Sequence, residues 1–319
     1  MKKVISILTC LCLLMTTGCS RQETIRFGAA GVGGMYYPFA NAFTELASKD
    51  ETGINWKVKS TAGSAANLRL LSDNYIELGI AQADLIEDAY YGKGSFHSGK
   101  YRGYKAVASL YPEACQIVVR KDSDITSLDN LEGKNVSVGE EESGTERNAT
   151  QILEMCGLPD NLVNTKNLDY TDAADQLAEK KIDAFFCTAG ICTTVIEELT
   201  KECDIRLLEI PESCRQKLKK AYSFYNDYVI PAGTYSGQTE DIQTISVQSV
   251  LLASSTLSEN TVQKLTASLF KHIKDIQYST SINLQLTPQE AVKGITIPFH
   301  PGAEAYYRLE GVELPEVEP

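Results

Sequence analysis

Histidine is scarce in this chain of 319 residues: His97, His272 and His300 lie far apart. None sits at zinc-ligand spacing from a cysteine, so no metal site is expected. No GxSxG elbow occurs and no cysteine stands beside a histidine, which removes the usual signatures of nucleophilic catalysis, and an enzyme is not expected. Positive charge is also short, with 30 Lys and Arg against 42 Asp and Glu and a net charge of −12. Nucleic acids and anionic lipid surfaces both need basic patches, so neither is an expected partner. Beyond the first residues, no apolar run is long enough to cross a bilayer.

What is present begins with Lys2 and Lys3, an apolar stretch from Val4 to Met15, and then Thr17-Gly18-Cys19. That core is too short to span a membrane and reads as a signal peptide over residues 1–18. Small residues before Cys19 fit a lipobox, in which the cysteine carries a lipid and residues 19–23 form a short anchor. Thr16 stands where such motifs usually have leucine, so ordinary cleavage nearby is the alternative. Either way the mature chain is expected outside the cytoplasm, tethered at the membrane if Cys19 is lipidated. Loss of Lys2 and Lys3 takes the net charge from −12 to −14. Six cysteines remain (Cys115, Cys156, Cys187, Cys192, Cys203 and Cys214). They allow up to three disulfides in fifteen pairings, or buried free thiols, and the sequence leaves both open.

The strand-like Thr24-Ile25-Arg26-Phe27 runs into GAAGVGGMYYP, with Gly28, Gly31, Gly33 and Gly34. Glycines permit positive φ, and Pro38 suits the first turn of a helix carrying Phe39, Phe43 and Leu46. Strand, glycine loop and helix start aim free N–H groups and a dipole at one point, with Tyr36 and Tyr37 at its mouth. A plain βα turn would look the same, since neither a P-loop nor a dinucleotide fingerprint is present. Two similar units follow. Trp56 to Lys59 leads to Thr61-Ala62-Gly63-Ser64, where Ser64 is placed to cap a helix holding Asn67. Leu78 to Ala81 leads to Gln82-Ala83-Asp84, with Asp84 as the natural cap.

Alternating strands and helices predict an α/β fold with a mainly parallel sheet, whose ligands bind at the C-terminal edges of the strands. The strand from Tyr104 breaks at Tyr111-Pro112-Glu113 and resumes at Cys115, which reads as a crossing into a second lobe. There Asn135 to Gly139 leads to Ser143-Gly144-Thr145, hydroxyls and amides at a helix start, able to receive an oxyanion or simply to cap. Glu140, Glu141 and Glu142 just before it oppose an anion unless they face solvent. Ile182 to Phe186 is a further strand, Ile230 to Tyr235 reads as the return crossing, and Ile245 to Ala253 as a strand of the first lobe. Residues 259–276 read as one amphipathic helix. About 300 residues suffice for two lobes, 24–113 with 232–319 and 114–231.

Eight stretches in order resemble one family: GVGGMYYP, TAGSAANLRLLS, IAQADLIEDAYYGKGSF, LYPEACQIVVR, SGTERNATQIL, KIDAFFCTAG, IPAGTYSGQ and IPFHPGAEAYY. They resemble the TAXI family, the solute receptors of tripartite ATP-independent periplasmic (TRAP) transporters. The resemblance implies a two-lobed type II periplasmic-binding-protein fold that closes on a small carboxylate or amino acid, glutamate-like or a 2-oxo acid, and needs no cofactor. It further implies delivery to ion-driven TRAP permease subunits in the membrane. By matching position the cleft would hold Tyr36, Tyr37, Ser64, Asn67, Gln82 and Asp84, the last able to pair with an ammonium. Ser143, Gly144, Thr145, Asn148, Phe186 and Gly190 would complete it from the second lobe. The three glutamates replace the family's usual glycine and proline, which favours an amino acid or a less charged solute over a dicarboxylate. A tethered sensor for a membrane kinase would use the same clamshell.

Overall fold

The computed structural model describes residues 23–317 apart from 160, 281 and 283; the expected signal peptide and the lipid site at Cys19 lie outside the described residues. The described strands join in one sheet, ordered β2-β1-β3-β10-β4-β7-β5-β6, with β8 added to β4 and β9 to β10. The opening half alternates as expected: β1 (Glu23–Gly28), α1 (Tyr36–Asp50), β2 (Ile54–Lys59), α2 (Ser64–Ser72), β3 (Leu78–Gln82), α3 (Ala83–Tyr91). β1 pairs parallel with β2 and with β3.

The next element corrects the expected break. β4 runs unbroken from Tyr104 to Arg120 over 17 residues, with Pro112 inside it. Pro112 lies opposite Gln248, and the register slips between Gln248 and Val250. A proline brings no N–H to a ladder, and an irregular step lets the strand continue past it. The second half follows: β5 (Asn135–Ser137), α4 (Gly144–Met155), β6 (Asn164–Lys166), α5 (Tyr170–Ala178), β7 (Ala184–Ala189), α6 (Thr194–Glu202), β8 (Ile205–Leu208), α7 (Glu212–Ala221), β9 (Asn226–Ile230). Sequence reading missed α5; Asp169 caps it by accepting from the Asp172 amide.

β10 (Ile242–Ser254) is antiparallel to every neighbour, first β9 through Ile242–Ser246 and then β3 through Ser249–Ala253. The segment 230–235 therefore turns the chain from β9 into β10, and the exchange of partners falls inside β10. The sheet is mixed rather than mainly parallel: parallel at both ends, antiparallel along β4 and β10. After α8 (Glu259–Lys271), His272 departs from helical ψ, so the single expected helix is split and α9 (Ile273–Thr280) follows; α10 (Pro301–Leu309) closes the chain.

Two apolar clusters hold this together. The larger joins Phe27, Phe39, Phe43, Leu68, Ile80, Leu252 and Leu269, and continues to Phe185 and Leu177. The smaller joins Ile117, Val136, Ile152, Phe186, Leu218 and Ile245. Consecutive residues of a strand face opposite sides, which is why Phe185 and Phe186 fall into different clusters. A disulfide links Cys156 to Cys214, while Cys115, Cys187, Cys192 and Cys203 are free.

Candidate ligand-binding cleft

A cleft opens where the loops at the strand ends of the two halves meet. Ala30 to Tyr36 form one wall, Ala62 to Ser64 and Gln82 the next, and Glu113 in mid-β4 lies between them. The other half contributes Glu140, Ser143, Gly144, Thr145, Asp169, Tyr170, Thr188 and Ala189.

The glycine loop works differently from expectation. None of Gly28, Gly31, Gly33 and Gly34 takes a left-handed φ; Ala30 does, at 51°. Space is what demands glycine at Gly28, where a Cβ would press on Asn67 Oδ1 at 2.5 Å and Ile76 Cδ1 at 2.6 Å. Ser64 is not the cap of α2; Gly63 takes that position, and the Ser64 hydroxyl accepts from the Gln82 amide at 3.1 Å. Asp84 likewise does not cap α3, since Gln82 stands at the cap. Ser143 does cap α4, accepting from the Glu146 amide at 3.0 Å. The Thr145 hydroxyl accepts from the Thr188 amide at 3.2 Å and bonds the Tyr170 hydroxyl, which donates to the Thr188 carbonyl. The Gly144 and Thr145 amides, the first two of α4, have no intrahelical acceptor.

Of the twelve candidates, Tyr36, Ser64, Gln82, Ser143, Gly144 and Thr145 line the cavity. The other six lie elsewhere. Tyr37 packs against the larger core, and Phe186 sits within the smaller one. Gly190 lies against Met35 and Tyr111. Asn148 donates to Tyr225 from a buried position. Asn67 is fully buried and donates to the carbonyls of Gly28 and Ile80. Asp84 is buried with neither carboxylate oxygen hydrogen-bonded. Glu113, Asp169 and Tyr170 were missed. A carboxylate inside an apolar run was the available signal for Glu113, and an Asp three residues before another acidic residue marked the start of α5.

The electrostatics are one-sided. Burial pushes the Glu113 carboxyl up to about 8, partly offset by the hydrogen bond from Tyr36 (2.9 Å) and by the nearby Gln82 side chain, and reinforced by Asp84. Burial also raises Asp84 to about 7; the Leu85 amide and the Arg147 charge, neither in hydrogen-bonding geometry, offset part of this. Glu140 is raised by burial and by Asp169 across from it. Among the described residues, no basic side chain lines the cavity. The two nearby arginines are engaged between the halves, Arg147 with Asp88 at 2.6 Å and Arg69 with Glu142. Glu142 adopts φ 69°, which a non-glycine residue takes at a cost of about 1 kcal/mol. In that conformation its carbonyl accepts from the Ala65 and Ala66 amides at the head of α2, at 3.1 and 3.4 Å.

Residues 27–311 match the NMT1-like family. Among solved structures, a protein of Bordetella bronchiseptica RB50 is similar at 18% identity and TM-score 0.55, covering 94% of this chain and 86% of that one. A putative L-cystine ABC transporter from Listeria monocytogenes is similar at 15% identity and TM-score 0.52, over 81% of this chain and 94% of that one. The alkanesulfonate-binding protein of Xanthomonas axonopodis pv. citri, bound to MOPS, is similar at 15% identity and TM-score 0.51, over 90% and 83%. What is shared at these identities is the fold, the α/β type II periplasmic-binding-protein architecture.

Proposed function

The chain belongs to the NMT1-like family, and from that premise we propose that it is an extracytoplasmic solute receptor of the TAXI type. On this reading it captures a small carboxylate or amino acid and delivers it to the ion-driven permease subunits of a TRAP transporter. The observation that carries the reading is the cleft walled by both halves of the chain, with helix starts facing it from each side. Two solved proteins of this fold are described by the solutes they bind or transport, an alkanesulfonate and L-cystine. Ser143, Gly144 and Thr145 are the residues proposed to receive a carboxylate, Ser64, Gln82 and Tyr36 to complete the wall. Cys19 is proposed as the lipidated residue that tethers the exported chain.

The lobes are proposed to part at Pro112 and Gln248, which face each other on β4 and β10. This keeps the first expected boundary and moves the second from 231 to about 248, because Ile242–Ser246 still pair with β9. Hinges of this type absorb rotation in a few residues of the crossing strands.

A thermal-shift and calorimetry panel of amino acids, 2-oxo acids and other small carboxylates, on residues 22–319, tests the function. A solute at a hundred times its dissociation constant is expected to add about 2.7 kcal/mol of stability. A folded sample that binds no member of the panel would remove the proposed solute class. Co-purification with TRAP membrane subunits, solute present, tests the transporter assignment; retention on an ABC permease instead would overturn it.

A further inference from the structure

The middle of the cleft offers acceptors and acidic groups where a carboxylate-only solute would need cations. We infer that the cleft holds a cation subsite, formed by the Glu113 carboxylate and the Gln82 side-chain carbonyl, that takes a protonated amine of the solute. The inference rests on the receptor reading above and narrows it to amines, amino acids included.

Three observations carry it. First, Gln82 lines the cavity at 2% exposure, yet its Oε1 has no hydrogen-bond partner. That oxygen is turned towards Gly144 on the opposite wall, an acceptor without a donor where the two halves meet. Unpaired buried acceptors are costly, and an N–H donor relieves them. Secondly, Glu113 already receives the Tyr36 hydroxyl on Oε2 at 2.9 Å, so the protein's own donors leave it with spare acceptor capacity and no counter-ion. Thirdly, the remaining charges are of the wrong sign for an anion at this point. Glu140 and Asp169 line the same cavity, and Arg69 and Arg147 are paired with Glu142 and Asp88.

Among the described residues, the titratable groups that face Glu113 are acidic or neutral: Tyr36 from α1, Asp84 from α3, Tyr111 and Cys115 from β4, Tyr170 from α5 and Cys187 from β7. A carboxylate so placed keeps a proton when the cleft is empty, because an unpaired buried charge is disfavoured. An arriving ammonium replaces that proton with a fixed positive charge. Binding then releases protons to solvent at neutral pH, while the ammonium gains a charge-assisted bond to Glu113 and a bond to Gln82.

Matched solutes that differ only at the nitrogen test this: L-glutamate against 2-oxoglutarate, L-alanine against pyruvate, and putrescine as an amine without a carboxylate. Titration calorimetry at pH 7 in phosphate and in Tris, which differ in ionisation enthalpy, gives affinity and proton count together. The expected result is an amine that binds at least about tenfold more tightly than its oxo partner, with net proton release, and a Glu113→Gln variant that loses about tenfold in affinity or more. Because Glu113→Gln is isosteric, a retained thermal midpoint separates lost recognition from lost folding; should it fail to fold, wild-type proton release still decides. Equal or tighter binding of the oxo acids, binding without proton release, or Glu113→Gln affinity within about twofold of wild type would each overturn the subsite. Oxo-acid binding would leave the receptor reading standing, whereas a folded protein that binds neither amines nor carboxylates overturns both.

Discussion

Replacing Asp84 with asparagine raises the stability of the solute-free protein at pH 8, by about 2–4 kcal/mol, and leaves it almost unchanged at pH 4. The asymmetry follows from where the carboxyl sits. In the folded chain burial pushes it up to about 7; in the unfolded chain it titrates near the ordinary aspartate value of about 3.9. Below that value both states hold the proton and the side chain is neutral in each. As pH rises towards 7 the unfolded state ionises first, so the equilibrium drifts towards unfolding; above 7 the deficit is constant. An amide cannot ionise, and the variant escapes the loss. Glu113, raised to about 8, pulls the wild type the same way over a window that ends about one unit higher. Surface pairs act in reverse in acid: Asp50, held at about 2 chiefly by the Lys271 ammonium, stabilises the fold until the pH falls towards that value. Urea midpoints at pH 4, 6 and 8 read these windows. Identical midpoints for wild type and Asp84→Asn at pH 8 would show that the carboxyl is not suppressed by burial.

Asn67→Ala gives the second large effect, a loss of about 2–4 kcal/mol in stability. The Asn67 amide donates to the Gly28 carbonyl at 3.2 Å and the Ile80 carbonyl at 2.9 Å, and its oxygen accepts from the Thr61 hydroxyl at 2.7 Å. It thus ties the ends of β1 and β3 to the loop before α2, below the cleft floor. Alanine strands two carbonyls in a dry interior and leaves a hole, and each contributes to the loss. Solute selectivity should persist, since the side chain does not reach the cavity. If the variant instead kept its thermal midpoint and lost binding, Asn67 would be a ligand contact, as its position in the sequence suggests.

Asn67 also shows what the sequence could and could not convey. Ser64 and Asn67 are one helical turn apart, as are Thr145 and Asn148, and the cleft reaches only the first turn of each helix. Spacing alone identifies both members of each pair as being on one helix face; which of them meets the cavity depends on how the two halves pack. The Ser143-Gly144-Thr145 helix start was legible because cap residues and glycine have local causes that survive any packing. Gly144 also lets the Gln82 side chain from the opposite wall approach closely, where a Cβ would displace it. Glu113 was not legible in this way. A proline and a glutamate inside an apolar run read as an interruption, whereas β4 continues through both and buries the carboxylate. The exchange of partners within β10 was hidden for a related reason: such a strand carries no mark of the exchange in its own residues.

The Glu142 contact gives the receptor reading a kinetic side. Its carbonyl, not a solute atom, takes the Ala65 and Ala66 amides, and its carboxylate holds Arg69. Parting the two halves must break these bonds whichever guest is inside. Where that parting limits release, residence times measured by stopped flow cluster for guests of quite different affinity. Widely spread release rates would show that the guest itself holds the halves together.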